Sequence, residues 1–301
     1  GAIMDALSVS DSISKIFNEQ KIKTRFVATS VSGHSVIVKK ISLPLMNEEE
    51  LEESIQWEAE QHIPFDIQDV NLDYQILNPA SPSSTTDVLL VAVKKDKILN
   101  HTNVITQAGR SPLVVDIDAF AVQNAFDVNY TPASNTVVAL LNIGASIMNI
   151  VVTKGGTPMF TRDVSSGGNQ FTDVLQKELN LSFEEAEQIK MGKTIEGVPS
   201  ESVPSLLQSI SEVLLLEVQK TFDFFRATSI GDQIQRIYVS GGCAKVLGLL
   251  DLLQNKFNIP VEMLNPFRSL SFAKGLDQGK LEATAPSMTV AVGLALRSFD
   301  N

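Results

Sequence analysis

The stretch ALLNIGASIMNIVV, residues 139–152, constrains the fold more than any other part of the sequence. Two apolar runs flank a small-residue turn, Asn142-Ile143-Gly144-Ala145-Ser146, and a third β-rich run, TPMFTRDV, follows the turn TKGG. Short β-rich runs joined by tight turns predict three sequential antiparallel strands. The turn at Gly144 either only reverses the chain or also presents its amides as a concave nest for an anion.

Two further glycine-lined bends occur downstream. Ser166-Gly167-Gly168 precedes a predicted helix, residues 169–180, and a helix N-terminus without large side chains suits a phosphate group. Ser240-Gly241-Gly242 follows the apolar strand RIYV, and its glycines would let a flat adenine ring lie against the backbone. The standard nucleotide motifs GxxxxGK[ST] and GxGxxG are absent from the sequence.

One charged pair belongs with these bends. Glu187 and Lys190 share one face of a predicted helix, residues 182–191, which Ser182 caps. A carboxylate there could accept ribose hydroxyl groups, and an ammonium could approach a base or a phosphate. The alternative is an ordinary solvated surface pair.

Composition excludes several classes of protein. Lys plus Arg number 24 and Asp plus Glu 35, and the net charge of −11 argues against the basic surface that nucleic-acid binding requires. No apolar stretch reaches about 18 residues and no signal peptide opens the sequence, so membrane contact is expected only through partners. A length of 301 residues favours two domains.

The cysteine and histidine content predicts no reactive thiol and no metal site. The single cysteine, Cys243, has no histidine near it in sequence, so we expect a small packed residue in a reducing cytosol. His34, His62 and His101 are scattered along the chain and offer no ligand set.

The first part of the chain alternates strand and helix patterns. Residues 23–43 contain two β-rich runs around Ser32-Gly33-His34, which predicts a hairpin. Asn47 and Glu50 predict a capping box for an acidic helix. We expect Trp57 on this helix to pack in the core, and the alternative is an aromatic anchor for a partner.

The segment NYTPASN, residues 129–135, has the composition of a domain boundary. We therefore predict a first lobe over residues 1–134, with a small α/β subdomain inserted at about 23–112. A second lobe is predicted over 135–285. Small residues in the C-terminal helix, 286–301, predict that it packs closely, and we expect it to return to the first lobe.

The order of these parts resembles the actin/Hsp70/hexokinase superfamily. Within it, the sequence resembles the PilM family of type IV pilus assembly proteins over nearly its whole length. The segments that carry the resemblance include WEAEQHIPFDI, FTRDVSSGGNQF, VSGHSVIVKKISLP, DVLLVAVKKD, VVDIDAFAVQNAF, ALLNIGAS, LQKELNLSFEEAEQIK, VQKTFDFFRATS, RIYVSGGCAKVLGL and VAVGLALR. The resemblance implies an α/β, actin-like ATPase fold with two RNase-H-like lobes around an interlobe nucleotide cleft.

The same resemblance implies ligands and partners. ATP with Mg would contact Asn142, Gly144, Ala145, Ser146, Gly167, Gly168, Glu187, Lys190, Ser240, Gly241 and Gly242. The implied partner is the cytoplasmic N-terminal tail of the inner-membrane protein PilN. Other pilus platform proteins, the pilus motor ATPases and a homo-oligomeric ring are further candidates. The protein would then lie in the cytoplasm at the inner face of the inner membrane.

Two departures from the family pattern affect the ATP prediction. The first phosphate loop of such folds, D-x-G-[ST], does not occur in the sequence. We therefore expect a first lobe that is incomplete at its N-terminus and nucleotide binding that is weak or absent. At position 142 an amide stands where hydrolysing relatives carry a carboxylate, and an amide cannot act as a base. ATP is thus expected to be mainly a structural ligand.

Other functions share these features. A slow ATPase or a sugar or acetate kinase would have the same fold, and so would the cytoplasmic counterpart in type II secretion. A filament former would need an amphipathic membrane-targeting end, which ALRSFDN does not supply. The preferred hypothesis is a nucleotide-responsive scaffold that receives a peptide tail.

Overall fold

The structure is a computed structural model that describes residues 3–77, 85–199, 201–229 and 231–297, without the side chain of Glu48. The polar Pro/Ser segment NPASPSSTT, residues 78–86, predicts a loop, and most of it lies outside the described residues. Two compact units are present. Unit 1 contains the described residues up to Asp118 together with Arg297, and unit 2 spans Ala119–Leu296.

Unit 1 contains two small sheets. Its elements in chain order are α1 (Ala6–Glu19), β1 (Phe26–Val31), β2 (Val36–Pro44), α2 (Glu48–His62), β3 (Val70–Ile76), β4 (Thr85–Lys94), α3 (Lys95–Gln107) and β5 (Ser111–Ile117). β1 pairs in parallel with β5. β2 and β3 both pair antiparallel with β4, which gives the order β2-β4-β3.

The predicted hairpin between β1 and β2 is wrong. A turn does join the two strands, and Gly33 adopts a φ of 95° there. The strands nevertheless enter different sheets, because β1 pairs with β5. Adjacent β-rich runs predict that strands form, but they do not say which strands pair.

Helix α2 covers one face of the three-stranded sheet. The Glu50 N–H donates to the Asn47 side chain at 2.9 Å, and the Asn47 N–H donates to the Glu50 carboxylate at 3.0 Å. The predicted capping box is therefore confirmed. The inward residues of α2 and of the sheet form one core, made of Ile41, Leu43, Leu51, Ile55, Ala59, Ile63, Val70, Val88, Leu90 and Ala92.

Unit 2 is built on one mixed sheet with the order β10-β9-β6-β7-β8. Its elements are α4 (Asp118–Tyr130), β6 (Val137–Ile143), β7 (Met148–Lys154), β8 (Thr157–Val164), α5 (Gly168–Leu179), α6 (Phe183–Lys190), α7 (Ser202–Thr228), β9 (Arg236–Ser240), α8 (Leu249–Phe257), β10 (Val261–Met263), α9 (Gln278–Thr284) and α10 (Thr289–Ala295). β6, β7 and β8 form the predicted antiparallel meander, and β9 joins β6 in parallel. β6 is buried throughout, which its continuous apolar run requires.

Helix α10 packs against α4. A Cβ placed on Gly293 would lie 1.7 Å from the carbonyl oxygen of Ala121, so only glycine permits this approach. The close packing expected from the small residues of the C-terminal helix is therefore confirmed. The lobe limits at residues 134 and 286 stay predictions.

Candidate functional site

Backbone hydrogen bonds join the bend at Gly144 to the bend at Gly167 and Gly168. The Gly168 N–H donates to the Gly144 carbonyl at 2.9 Å, and the Asn169 N–H donates to the Ala145 carbonyl at 2.8 Å. A Cβ on Gly167 would lie 2.5 Å from the Gly144 oxygen. A side chain at Gly167 would therefore push the two bends apart.

The third bend, which follows β9, packs at the same place. Gly241 has a φ of +85°, and a Cβ there would lie 2.3 Å from the carbonyl oxygen of Ile143. The Cys243 thiol donates to the Gly144 carbonyl at 3.3 Å. Three bends that are far apart in sequence thus meet within unit 2.

The residues of these bends differ in their exposure to solvent. Ala145, Ser146 and Gly242 are exposed, and in the part of the chain that the structure describes their N–H groups donate to no protein acceptor. The first N–H groups of α5, by contrast, are satisfied by the carbonyls of Gly144 and Ala145. The amides available to an anion are therefore at the tip of the β6-β7 turn and at Gly242, and Gly168 supports that tip.

A row of polar side chains crosses four strands beside the bends. Ser240, Asn142, Asn149 and Asp163 lie opposite one another on β9, β6, β7 and β8. The Ser240 hydroxyl donates to Asn142 Oδ1 at 3.2 Å, and Asn142 Nδ2 donates to Asn149 Oδ1 at 2.8 Å. Asn149 Nδ2 then donates to Asp163 Oδ1 at 2.8 Å. Because Asn142 is buried and uses both ends of its amide within the protein, it offers neither a base nor a free metal ligand.

Lys190 is a buried cation. Its Nζ donates to the Thr172 hydroxyl at 2.9 Å, to the Gly168 carbonyl at 3.3 Å and to the Glu187 carboxylate. Burial acts to raise the pKa of Glu187, but hydrogen bonds from Lys190 and Thr172 outweigh it and hold that pKa below its usual value. The pair therefore supports the Gly168 bend, and the alternative of an ordinary solvated pair does not hold.

Cys243 has the packing role that the sequence predicts. It is buried, and a Cβ on Gly168 would lie 2.6 Å from its Sγ. Burial raises the pKa of the thiol to about 11, so it stays protonated near neutral pH.

Sequence reasoning missed Asn149, Asp163 and Thr172. Asn149 could have been found from the meander, because residues equally distant from a turn face each other in an antiparallel pair. Asp163 could not, because a register shift between Val152 and Thr153 places it opposite Asn149, where counting from the turn would place Arg162. No local sequence pattern points to Thr172, because its contacts with Glu187 and Lys190 arise from the packing of α6 on α5.

Trp57 is 72% exposed, so the expectation that it packs in the core is wrong. Among the described side chains, no group of three His, Cys, Asp or Glu residues is arranged to hold a metal ion. Of the described helices, none combines the length and the apolar character that crossing a bilayer requires.

Comparison with known proteins bears on both fold and family. The family model of the type IV pilus assembly protein PilM matches residues 1–299. A solved structure titled as a PilM-PilN type IV pilus biogenesis complex has a TM-score of 0.89 at 26% identity, covering 100% of this chain and 88% of that chain. MreB5 of Spiroplasma citri, solved bound to ADP, has a TM-score of 0.54 at 11% identity, covering 98% of this chain and 76% of that chain. This second likeness concerns the fold alone.

These matches confirm the predicted α/β, actin-like fold. The family model extends over almost every residue of the sequence, and the resemblance carried by WEAEQHIPFDI and FTRDVSSGGNQF agrees with it. This chain belongs to the PilM family of type IV pilus assembly proteins.

Proposed function

We propose that this chain is a scaffold of the type IV pilus inner-membrane alignment complex and binds the cytoplasmic N-terminal tail of PilN. The observation that carries the proposal is the likeness, along the full chain, to a structure titled as a PilM-PilN complex. On this proposal the protein acts in the cytoplasm at the inner face of the inner membrane, where PilN holds it. Contacts with other platform proteins, with the pilus motor ATPases and between copies of the chain would build the larger complex.

The proposal includes ATP as a mainly structural ligand of unit 2, bound weakly because the first phosphate loop, D-x-G-[ST], does not occur in the sequence. The amides of Ala145 and Ser146 would hold its phosphates, since they are exposed and have no protein acceptor among the described residues. The adenine ring would lie against the exposed backbone at Gly242. A Mg ion would be held by phosphate and water, because the described residues supply no carboxylate cluster for it. Bound ATP would supply no chemistry beyond stabilising the conformation to which it binds.

Slow hydrolysis by this chain and a role in type II secretion are the alternatives. Hydrolysis requires a group that can accept a proton from water. The Asn142 amide cannot accept a proton. Asp163, the carboxylate in the same row of polar side chains, is separated from Asn142 by Asn149. The geometry therefore favours binding without rapid turnover.

A binding experiment tests the PilN proposal. A fluorescein-labelled peptide of the PilN tail from the same organism is titrated with the full chain and followed by anisotropy. We expect saturable binding, and a scrambled peptide of the same composition should not bind. Absence of saturation at high micromolar protein, with the fold verified by circular dichroism, would remove the proposal.

A further inference from the structure

A groove in unit 1 lies between helix α2 and strand β3. Its volume is about 560 Å³, and its lining includes the apolar side chains of Ile55, Leu72 and Leu90 together with Tyr74. Leu72 and Tyr74 face α2 because side chains alternate along a strand, and the neighbouring β3 residues, which point to the other face, are exposed. Leu72 and Tyr74 are partly exposed there, whereas Ile55 and Leu90 are buried, so the groove has a shallow apolar floor.

Trp57 lines this groove and is 72% exposed. A tryptophan carries a large apolar area, and exposed tryptophans are enriched among the residues that dominate protein interfaces. The same helix buries Leu51, Ile55 and Ala59 against the sheet, so Trp57 is not needed for the core of unit 1.

The rim of the groove is acidic. Glu52 and Glu53 line it, and α2 contains no Lys or Arg anywhere along its length. A surface of this sign attracts cations and repels anionic lipid and nucleic acid. It also disfavours a second copy of the chain, whose net charge is −11.

We propose that this groove binds a peptide segment of a partner protein in which a bulky apolar side chain stands beside Lys or Arg. The apolar side chain would lie on Leu72 and Tyr74 next to Trp57, and the cations would pair with Glu52 and Glu53. This inference goes beyond the proposed function, because it does not require the partner to be PilN.

Trp57 makes the test specific, because it is the single tryptophan of the chain and its emission reports on the groove. A random peptide library displayed on phage is panned against the full chain, with counter-selection on the Glu52→Lys/Glu53→Lys/Trp57→Ala variant. We expect enriched sequences with an apolar residue beside Lys or Arg. Synthetic copies of them should shift Trp57 emission to the blue and protect it from iodide quenching.

A matched pair of charge variants distinguishes binding at the groove from a general effect of the protein's net charge. Glu52→Lys/Glu53→Lys should weaken binding of the selected peptides roughly tenfold or more, because two attractive pairs become repulsive. Asp173→Lys/Glu178→Lys makes the same change in net charge at exposed positions of α5, and it should leave the Kd within about twofold. Circular dichroism of both variants verifies that they are folded.

Three outcomes would overturn the inference. They are no enrichment over the library, a consensus without apolar or without basic residues, and binding that leaves Trp57 emission unchanged. The PilN tail peptide, tested in the same assay, distinguishes this inference from the PilN proposal. If the tail binds while Trp57 emission stays constant, PilN is a partner at another surface, and the library peptides alone decide whether the groove binds.

Discussion

At the scale of single residues, Gly167, Gly168 and Gly241 are present because a side chain has no room, whereas a Cβ on Gly242 would meet nothing within 4 Å. The obstacle at Gly241 is backbone, the carbonyl of Ile143, whereas the nearest obstacle at Gly168 is the Cys243 side chain. This difference matters, because a clash with a side chain can be relieved by a second substitution and a clash with backbone cannot.

The contact between Gly168 and Cys243 predicts a compensating pair. Gly168→Ala should destabilise the fold by roughly 1–3 kcal/mol, because its Cβ would overlap the thiol. Cys243→Ala should lower the free energy of unfolding by about 1 kcal/mol, because it leaves a small cavity. In the double variant the loss should be smaller than the sum of the two by about 1 kcal/mol or more. Urea unfolding measures all three variants, and strict additivity would contradict the contact.

The Glu187–Lys190 pair predicts a pH dependence. Because folding lowers the pKa of Glu187 from 4.5, its stabilising contribution is complete above that pH and is lost as the pH falls through the folded pKa. Glu187→Gln should therefore destabilise by roughly 1–3 kcal/mol at neutral pH, and by less as the solution becomes more acidic. Urea unfolding of both proteins from neutral to acidic pH tests this, and a difference that does not change with pH would count against the pair.

At the scale of elements, the sequence predicted what depends on nearby residues. The capping box at Asn47 and the N-cap at Ser182 are confirmed, because both depend only on neighbouring residues. The pairing of β1 with β5 and the burial of Lys190 depend on partners distant in sequence, so no local pattern could give them. The exposure of Trp57 was within reach, since Leu51, Ile55 and Ala59 recur at helical spacing on the inward face of α2 and position 57 does not fall on that face.

Two helical glycines should respond to alanine in opposite directions. Gly279→Ala in α9 should stabilise by about 0.5–1 kcal/mol, because alanine is the better helix former. The nearest atom to its Cβ, Asp277 Oδ1, is 3.5 Å away. Gly293→Ala in α10 should instead destabilise by roughly 1–3 kcal/mol, because the Cβ would overlap the Ala121 carbonyl. Thermal unfolding checks both, and stabilisation by both would show that α10 does not pack on α4.

At the scale of the whole molecule, the topology of unit 2 explains why the bends meet. β6 and β9 are parallel neighbours with Asn142 opposite Ser240, so both strands end at the same edge of the sheet. Ligands of α/β sheets commonly bind beyond the carboxyl ends of parallel strands. We therefore propose that this edge of unit 2 holds a nucleotide weakly and without hydrolysing it.

A nuclear magnetic resonance titration of the full chain with Mg-ATP tests this claim most directly. This method suits weak binding, because in fast exchange each amide peak moves in proportion to the fraction of protein that has bound ATP. In deuterated, ¹⁵N-labelled protein we expect the largest shifts at Ala145, Ser146 and Gly242, with Gly197 and Gly231 unmoved. Phosphorus spectra of the same sample should show ATP intact for hours. Shifts that are absent at millimolar ATP or centred on other residues, or rapid release of phosphate, would contradict the account.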